Sequence, residues 1–129
     1  MNTKLLMTAA AIVLGVAGLV LSFLPEEVAQ YLHLPAFTPI IFQILGATYL
    51  GFAMLNWIAK GNLIGGIYSR PVAMGNFMHF LVGGLALIKF VLHHSDPYLW
   101  GGVVVYLVFA GLFGWVMLRG GPSLKGKGE

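Results

Sequence analysis

Residues 5–24 read LLMTAAAIVLGVAGLVLSFL, a run without one charged side chain. An α-helix rises about 1.5 Å per residue, so roughly 20 residues cross the ~30 Å hydrocarbon core of a bilayer. The run has that length. It is longer than the apolar region of a cleaved leader (about 7–15 residues), and no small-x-small cleavage site precedes Pro25, so it reads as a true helix. Three comparable runs follow, from Phe37 or Thr38 to Ala59, from Pro71 to Leu92 and from Pro97 to Leu118. The expected architecture is all-α: an integral membrane, up-down-up-down four-helix bundle with short loops. Its helices cover about 4–24, 38–60, 71–92 and 97–118 within a single domain, 1–122. Gly120-Gly121-Pro122 ends the last helix, and 123–129 reads as a polar cytoplasmic tail.

Composition supports the same reading. Hydrophobic residues make up 59%, charged residues 9%, and the mean hydropathy is +0.90. A water-soluble domain needs roughly 25% charged residues to cover its surface, so much of this exterior faces lipid. The formal charge of +3 does not mark a nucleic-acid binder, because the basic residues sit at the ends of the apolar runs. With no cysteine, disulfides, iron–sulfur clusters, thiolate nucleophiles and cysteine-based zinc sites are excluded.

Orientation follows from the cations. Lys4, Lys60, Arg70, Arg119, Lys125 and Lys127 fall on one side, and Lys89 alone falls on the other with Glu26, Glu27 and Asp96. The positive-inside rule then places both termini in the cytoplasm, in the inner membrane of a bacterium-like cell. Trp57, Tyr68 and Trp115 mark the inner interface, and Tyr31, Tyr98 and Trp100 the outer one. Asp96-Pro97 is a good helix start. Pro25-Glu26-Glu27, with Val28, Tyr31 and Leu32 on one side, predicts a short amphipathic helix on the outer interface.

Small residues recur within the spans, at Gly15 and Gly18, Gly46 and Gly51, Gly83 and Gly84, Gly111 and Gly114. They serve helix packing inside the bundle, or an oligomer seam through Ala11–Gly15 and Ala110–Gly114. The second span also echoes the fourth: Tyr49-Leu50-x-Phe52-Ala53-x-Leu55 against Tyr106-Leu107-x-Phe109-Ala110-x-Leu112. A duplicated hairpin would leave such a trace, although the first and third spans match far less well.

Polar side chains inside a membrane are expensive, so each requires a reason. The candidates are Gln43 and Asn56 on the second span, and Asn76, His79 and Lys89 on the third. Asn76, His79, Gly83 and Ala86 form one stripe, and Tyr49, Ala53, Asn56 and Lys60 another. At 1.5 Å per residue, Asn56 and Asn76 lie roughly 6–8 Å from the inner ends, His79 about 12 Å and Tyr49 about 16 Å. A candidate ligand-binding cluster of His79, Asn76, Asn56, Tyr49 and Gln43 follows. Two readings of it stand: hydrogen bonds that staple the hairpin, or a proton-responsive pocket with His79 as its titrating group. Lys89 reads as snorkelling to the outer interface. His33, His93, His94 and Asp96 have metal-ligand side chains, but adjacent His93 and His94 cannot both face one ion from a regular helix, so no metal is assigned. Only His79 is deep, which argues against a haem, and no cofactor box is found.

Tyr68-Ser69-Arg70-Pro71, then Gly75-Asn76, then His79-Phe80 and Gly83 resemble small bacterial four-helix inner-membrane proteins, loosely DoxX-like families of unknown function. The resemblance covers most of the chain from the second span onward and implies only the topology. The preferred expectation is a non-enzymatic protein acting by association, as a homo-oligomer or a small accessory subunit of a larger membrane complex, in contact with membrane lipids. The alternative is a binder or carrier of a small apolar ligand, a lipid or quinone, held between the second and third spans. An enzyme acting on a lipid-like substrate is the weakest option, with only His79 and Asn76 to offer.

Overall fold

The computed structural model describes residues 2–61, 69–94 and 96–119. Tyr68 and the rest of 62–68, Ser95, and the tail from 120 onward with Lys125 and Lys127 lie outside these residues. The described chain is all-helical: α1 (Thr3–Phe23), α2 (Pro25–Tyr31), α3 (Thr38–Ala59), α4 (Ser69–Val91) and α5 (Tyr98–Arg119). Four of these, all but α2, are long and apolar enough to cross a membrane. Their in-span hydroxyls satisfy themselves against the preceding turn: Thr8 Oγ1 donates to the Lys4 carbonyl at 2.7 Å and Thr48 Oγ1 to that of Ile44 at 3.0 Å.

Helix ends follow the local chemistry. Asn2 caps α1, its side chain accepting from the Leu5 amide at 3.3 Å. Asp96 accepts from the Tyr98 amide at 3.1 Å and caps α5, as its place before Pro97 predicts. α2 opens with Pro25 in its first turn, followed by Glu26 and Glu27, where the helix dipole favours acids. Its protein-facing side is Pro25 and Ala29, while Tyr31 is exposed. It closes in a Schellman motif: the His33 amide donates to the Gln30 carbonyl and the Leu34 amide to that of Ala29. That geometry requires a left-handed residue, and His33 supplies it at φ 55°.

The chain divides into two compact units, the first Asn2–Gly61 and the second from Asn62 onward. In the first, α1 and α3 pack with α2 alongside. Gly15 faces Ala53, Gly18 faces Leu50 and Gly46, and Gly46 faces Ser22. One helix's numbers rise as the other's fall, so the pair is antiparallel. At Gly18 and Gly46 the approach is backbone to backbone. A Cβ on Gly18 would stand 3.0 Å from the Gly46 carbonyl oxygen, and one on Gly46 would stand 2.9 Å from that of Gly18. In the second unit α4 and α5 pack in the same sense, Gly84 facing Leu107, Gly83 facing Tyr106 and Gly114 facing Phe77.

The two hairpins share one register. Buried positions on α1 include 7, 10, 14 and 18, and on α4 they include 73, 76, 80 and 84, with the same spacing of three, four and four. On α3 they include 46, 53, 56 and 59, and on α5 103, 110, 113 and 116, again with one spacing. The echoed leucines do the same work, Leu50 lying over Gly18 and Leu107 over Gly84. The first and third spans, which match poorly as residue types, therefore match as buried positions. Each echoed helix also ends in a cation over an indole: Lys60 on Trp57 at 2.8 Å and Arg119 on Trp115 at 4.0 Å.

Gly18→Ala and Gly46→Ala should each cost about 1–3 kcal/mol, the usual range for overpacking a tight contact. Gly51, with nothing within 4 Å of a Cβ, should tolerate alanine or gain up to about 1 kcal/mol from helix propensity. Denaturation midpoints in one detergent compare the three, and equal losses would remove the close approach as the cause. At α2, His33→Val should destabilise the Schellman turn by about 1–2 kcal/mol, the left-handed penalty, read as faster hydrogen exchange at the Leu34 amide.

Candidate functional site

The residues singled out from the sequence fall in different surroundings. Gln43 lies on an exposed face of α3, whereas Tyr49 and Asn56 lie on the buried one. Asn56 is fully buried and its Nδ2 donates to the Phe52 carbonyl at 2.9 Å. Asn76 on α4 is also fully buried and donates to the Val72 carbonyl at 2.8 Å. Both amides thus satisfy a carbonyl one turn back in their own helices, which lowers the cost of placing them at membrane depth. No buried side-chain nitrogen or oxygen among the described residues is left without a partner.

His79 is half-buried and meets α5. The Tyr106 hydroxyl and His79 Nε2 lie 3.4 Å apart, long for a hydrogen bond, and the hydroxyl donates when that nitrogen carries no proton. The two rings are tilted, with centroids 5.5 Å apart. Beneath them stands Phe80, completely buried, stacked on Phe109 at 4.9 Å and on Phe113 at 6.0 Å. Its edge meets Tyr106 at 5.3 Å and His79 at 5.2 Å. The result is a core of three phenylalanine rings with one imidazole and one phenol at its rim. Gly83 makes room for it, since a Cβ there would stand 2.5 Å from the Tyr106 ring.

Sequence reasoning had His79 and Asn76 but not Tyr106, Phe80, Phe109 or Phe113 as their surroundings. The signal was present in the spacing: Tyr106, Phe109 and Phe113, three and four apart, give one face of α5. Tyr106 is also the counterpart, in the echoed motif, of Tyr49, which was chosen from its stripe and its depth.

The shared register makes the two hairpins a natural control for each other. Where the second has His79 and Phe80, the first has Val13 and Leu14; where it has Phe113, the first has Asn56. The second fills the space over Gly114 with Phe77, whereas the first has Ala11 and Trp57 at those positions, beside an apolar groove of about 260 Å³ that Ile12 and Met54 also line. The histidine–tyrosine pair belongs to the second hairpin alone.

The other histidines are at the surface. His93 and His94 donate from Nδ1 to the Lys89 and Phe90 carbonyls at 2.8 and 2.9 Å, and His94 lies flat on Phe90 at 3.9 Å. Among the described residues no group of three or more His, Cys, Asp or Glu could hold a metal ion. Comparison with protein families, with curated proteins and with solved structures found no match to this chain.

Phe80→Ala should cost about 3–5 kcal/mol, the range for truncating a fully buried phenylalanine, and should lower the unfolding midpoint well below that of Tyr106→Phe. Removing only the Tyr106 hydroxyl deletes one long contact, worth under about 1.5 kcal/mol. If the two variants were equally stable, Phe80 would not be the centre of the stack.

Proposed function

We propose that the chain is a four-span protein of a bacterium-like inner membrane with both termini cytoplasmic, and that its second hairpin binds a small apolar molecule carrying a hydrogen-bonding head, such as a quinone or lipid. The observation behind the binding reading is His79 beside Tyr106 at the rim of an aromatic wall. The first hairpin closes on the same register with Val13 in place of the histidine, so packing within a hairpin does not itself require an imidazole at that position. Small-molecule sites pair apolar surface with a few convergent polar groups, and His79 and Tyr106 are two such groups. The molecule would meet the half-buried side chains of His79 and Tyr106, and the phenol would donate to a carbonyl head. Neither group has the paired base and charge stabiliser that catalysis requires, so the reading is a binder or carrier.

Topology rests on the charge asymmetry and on the cation-over-indole pairs that end α3 and α5 alike. These suit two helices reaching the same interface, in an up-down-up-down bundle. A second reading, association with copies or partners, is supported by Gly51 and Gly111, exposed on α3 and α5 with nothing within 4 Å of a Cβ. Gly15 and Gly114 give it less support, because Ala53 and Phe77 of their own hairpins face them.

Reporters fused after Glu129 should read cytoplasmic, and a label at Asp96 should be reached from outside; the reverse pattern overturns the orientation. For binding, wild type in detergent should gain thermal stability with one member of a panel of short-chain quinones and lipids, and His79→Leu should fold but lose that gain. A panel that never stabilises wild type removes the binding reading. For association, Gly51→Leu and Gly111→Leu should lower the native mass, and a wild type already monomeric in mild detergent and in nanodiscs removes that reading.

A further inference from the structure

The last turn of α4 and the residues just after it bring basic side chains together. Ala86, Lys89, Phe90, His93 and His94 line a shallow, open depression of about 380 Å³. Its floor is apolar, from Ala86 and Phe90, and its rim carries three nitrogen-bearing side chains. A helix C-terminus ordinarily repels anions, because its last carbonyls point outward unpaired. Here two of those carbonyls, of Lys89 and Phe90, accept from the His93 and His94 imidazoles. The same bonds fix each ring through Nδ1 and turn Nε2 away from the helix. Stacking on Phe90 holds the His94 ring flat. Lys89 lies one turn below, exposed on the same face. The end of this helix has thus lost part of its negative character and gained one cation and two imidazoles beside apolar Ala86 and Phe90.

We propose that this face is a binding site for an anionic phospholipid, with the headgroup phosphate on Lys89, His93 and His94 and the first carbons of an acyl chain against Ala86 and Phe90. The site differs from the His79–Tyr106 wall, which it does not share residues with, and from a metal centre, since one face of one helix offers two adjacent imidazoles and a cation.

The test uses full-length protein in nanodiscs with phosphatidylglycerol or phosphatidylcholine, and native mass spectrometry to count retained lipid. Wild type should prefer phosphatidylglycerol, and Lys89→Gln should reduce that preference about fivefold, the value of one basic residue at an anionic surface. Lys89→Arg should keep it, and His93→Gln with His94→Gln should weaken it. An unaltered preference in Lys89→Gln would assign it to the basic residues at the other ends of the spans and overturn the proposal. Equal retention of both lipids by wild type would overturn it too. Inorganic phosphate at millimolar concentration should not displace the lipid; displacement would make this a free-anion site instead. Should Lys89→Gln fail to fold, a photoactivatable phosphatidylglycerol on wild type decides: crosslinks within 86–94 support the site, and crosslinks elsewhere exclude it.

Discussion

The backbone-to-backbone approach at Gly18 and Gly46 is the contact on which the first hairpin depends. Lipid tails are as apolar as leucine, so spans gain little from burying apolar surface against each other and rely on dispersion at short range. Short range demands missing side chains. With a Cβ position on Gly18 only 3.0 Å from a facing carbonyl oxygen, the two helices lie as close as their backbones permit. The second hairpin reaches a similar end by a different route. Its glycines at 83, 84 and 114 receive large side chains, Tyr106, Leu107 and Phe77, so rings and branched chains fill the space that backbone fills in the first.

That difference explains where chemistry can reside. A seam of backbone against backbone has no room for a functional side chain. A seam of rings in glycine notches holds side chains at fixed depth, and a histidine added at its edge is positioned by its neighbours. His79 is such an addition: Phe80 and Tyr106 flank it, and Gly83 sets the place of the phenol. The buried amides Asn56 and Asn76 return one hydrogen bond each to their own helices, so they contribute polarity without distorting the spans.

Much of the fold was legible because it is local. Span lengths follow from bilayer thickness and the absence of charge, the Asp96 cap from a short-range rule, and α2 from Pro25 and two acids. What was not legible depends on register between helices. The sequence favours internal packing at Gly15 and Gly114 but leaves an oligomer seam open, and only the facing residues, Ala53 and Phe77, separate the two. His33 gave no warning of a left-handed turn, since glycine or asparagine is the usual residue there. Depth along a helix axis located His79 but not its neighbour, because depth carries no azimuth; Tyr106 became its partner only once α4 and α5 were set in register. The echo between α3 and α5 is visible in residue types, whereas α1 and α4 share only the spacing of four buried positions while their residue types differ.

The central claim is that the His79–Tyr106 rim exists for a ligand and not for packing. A high-resolution structure of the protein extracted with its native lipids tests it most directly. The account predicts non-protein density beside His79 and Tyr106, with a polar atom within hydrogen-bonding distance of the Tyr106 hydroxyl or His79 Nε2. A rim closed by the protein's own side chains, with no density of that kind, would contradict it.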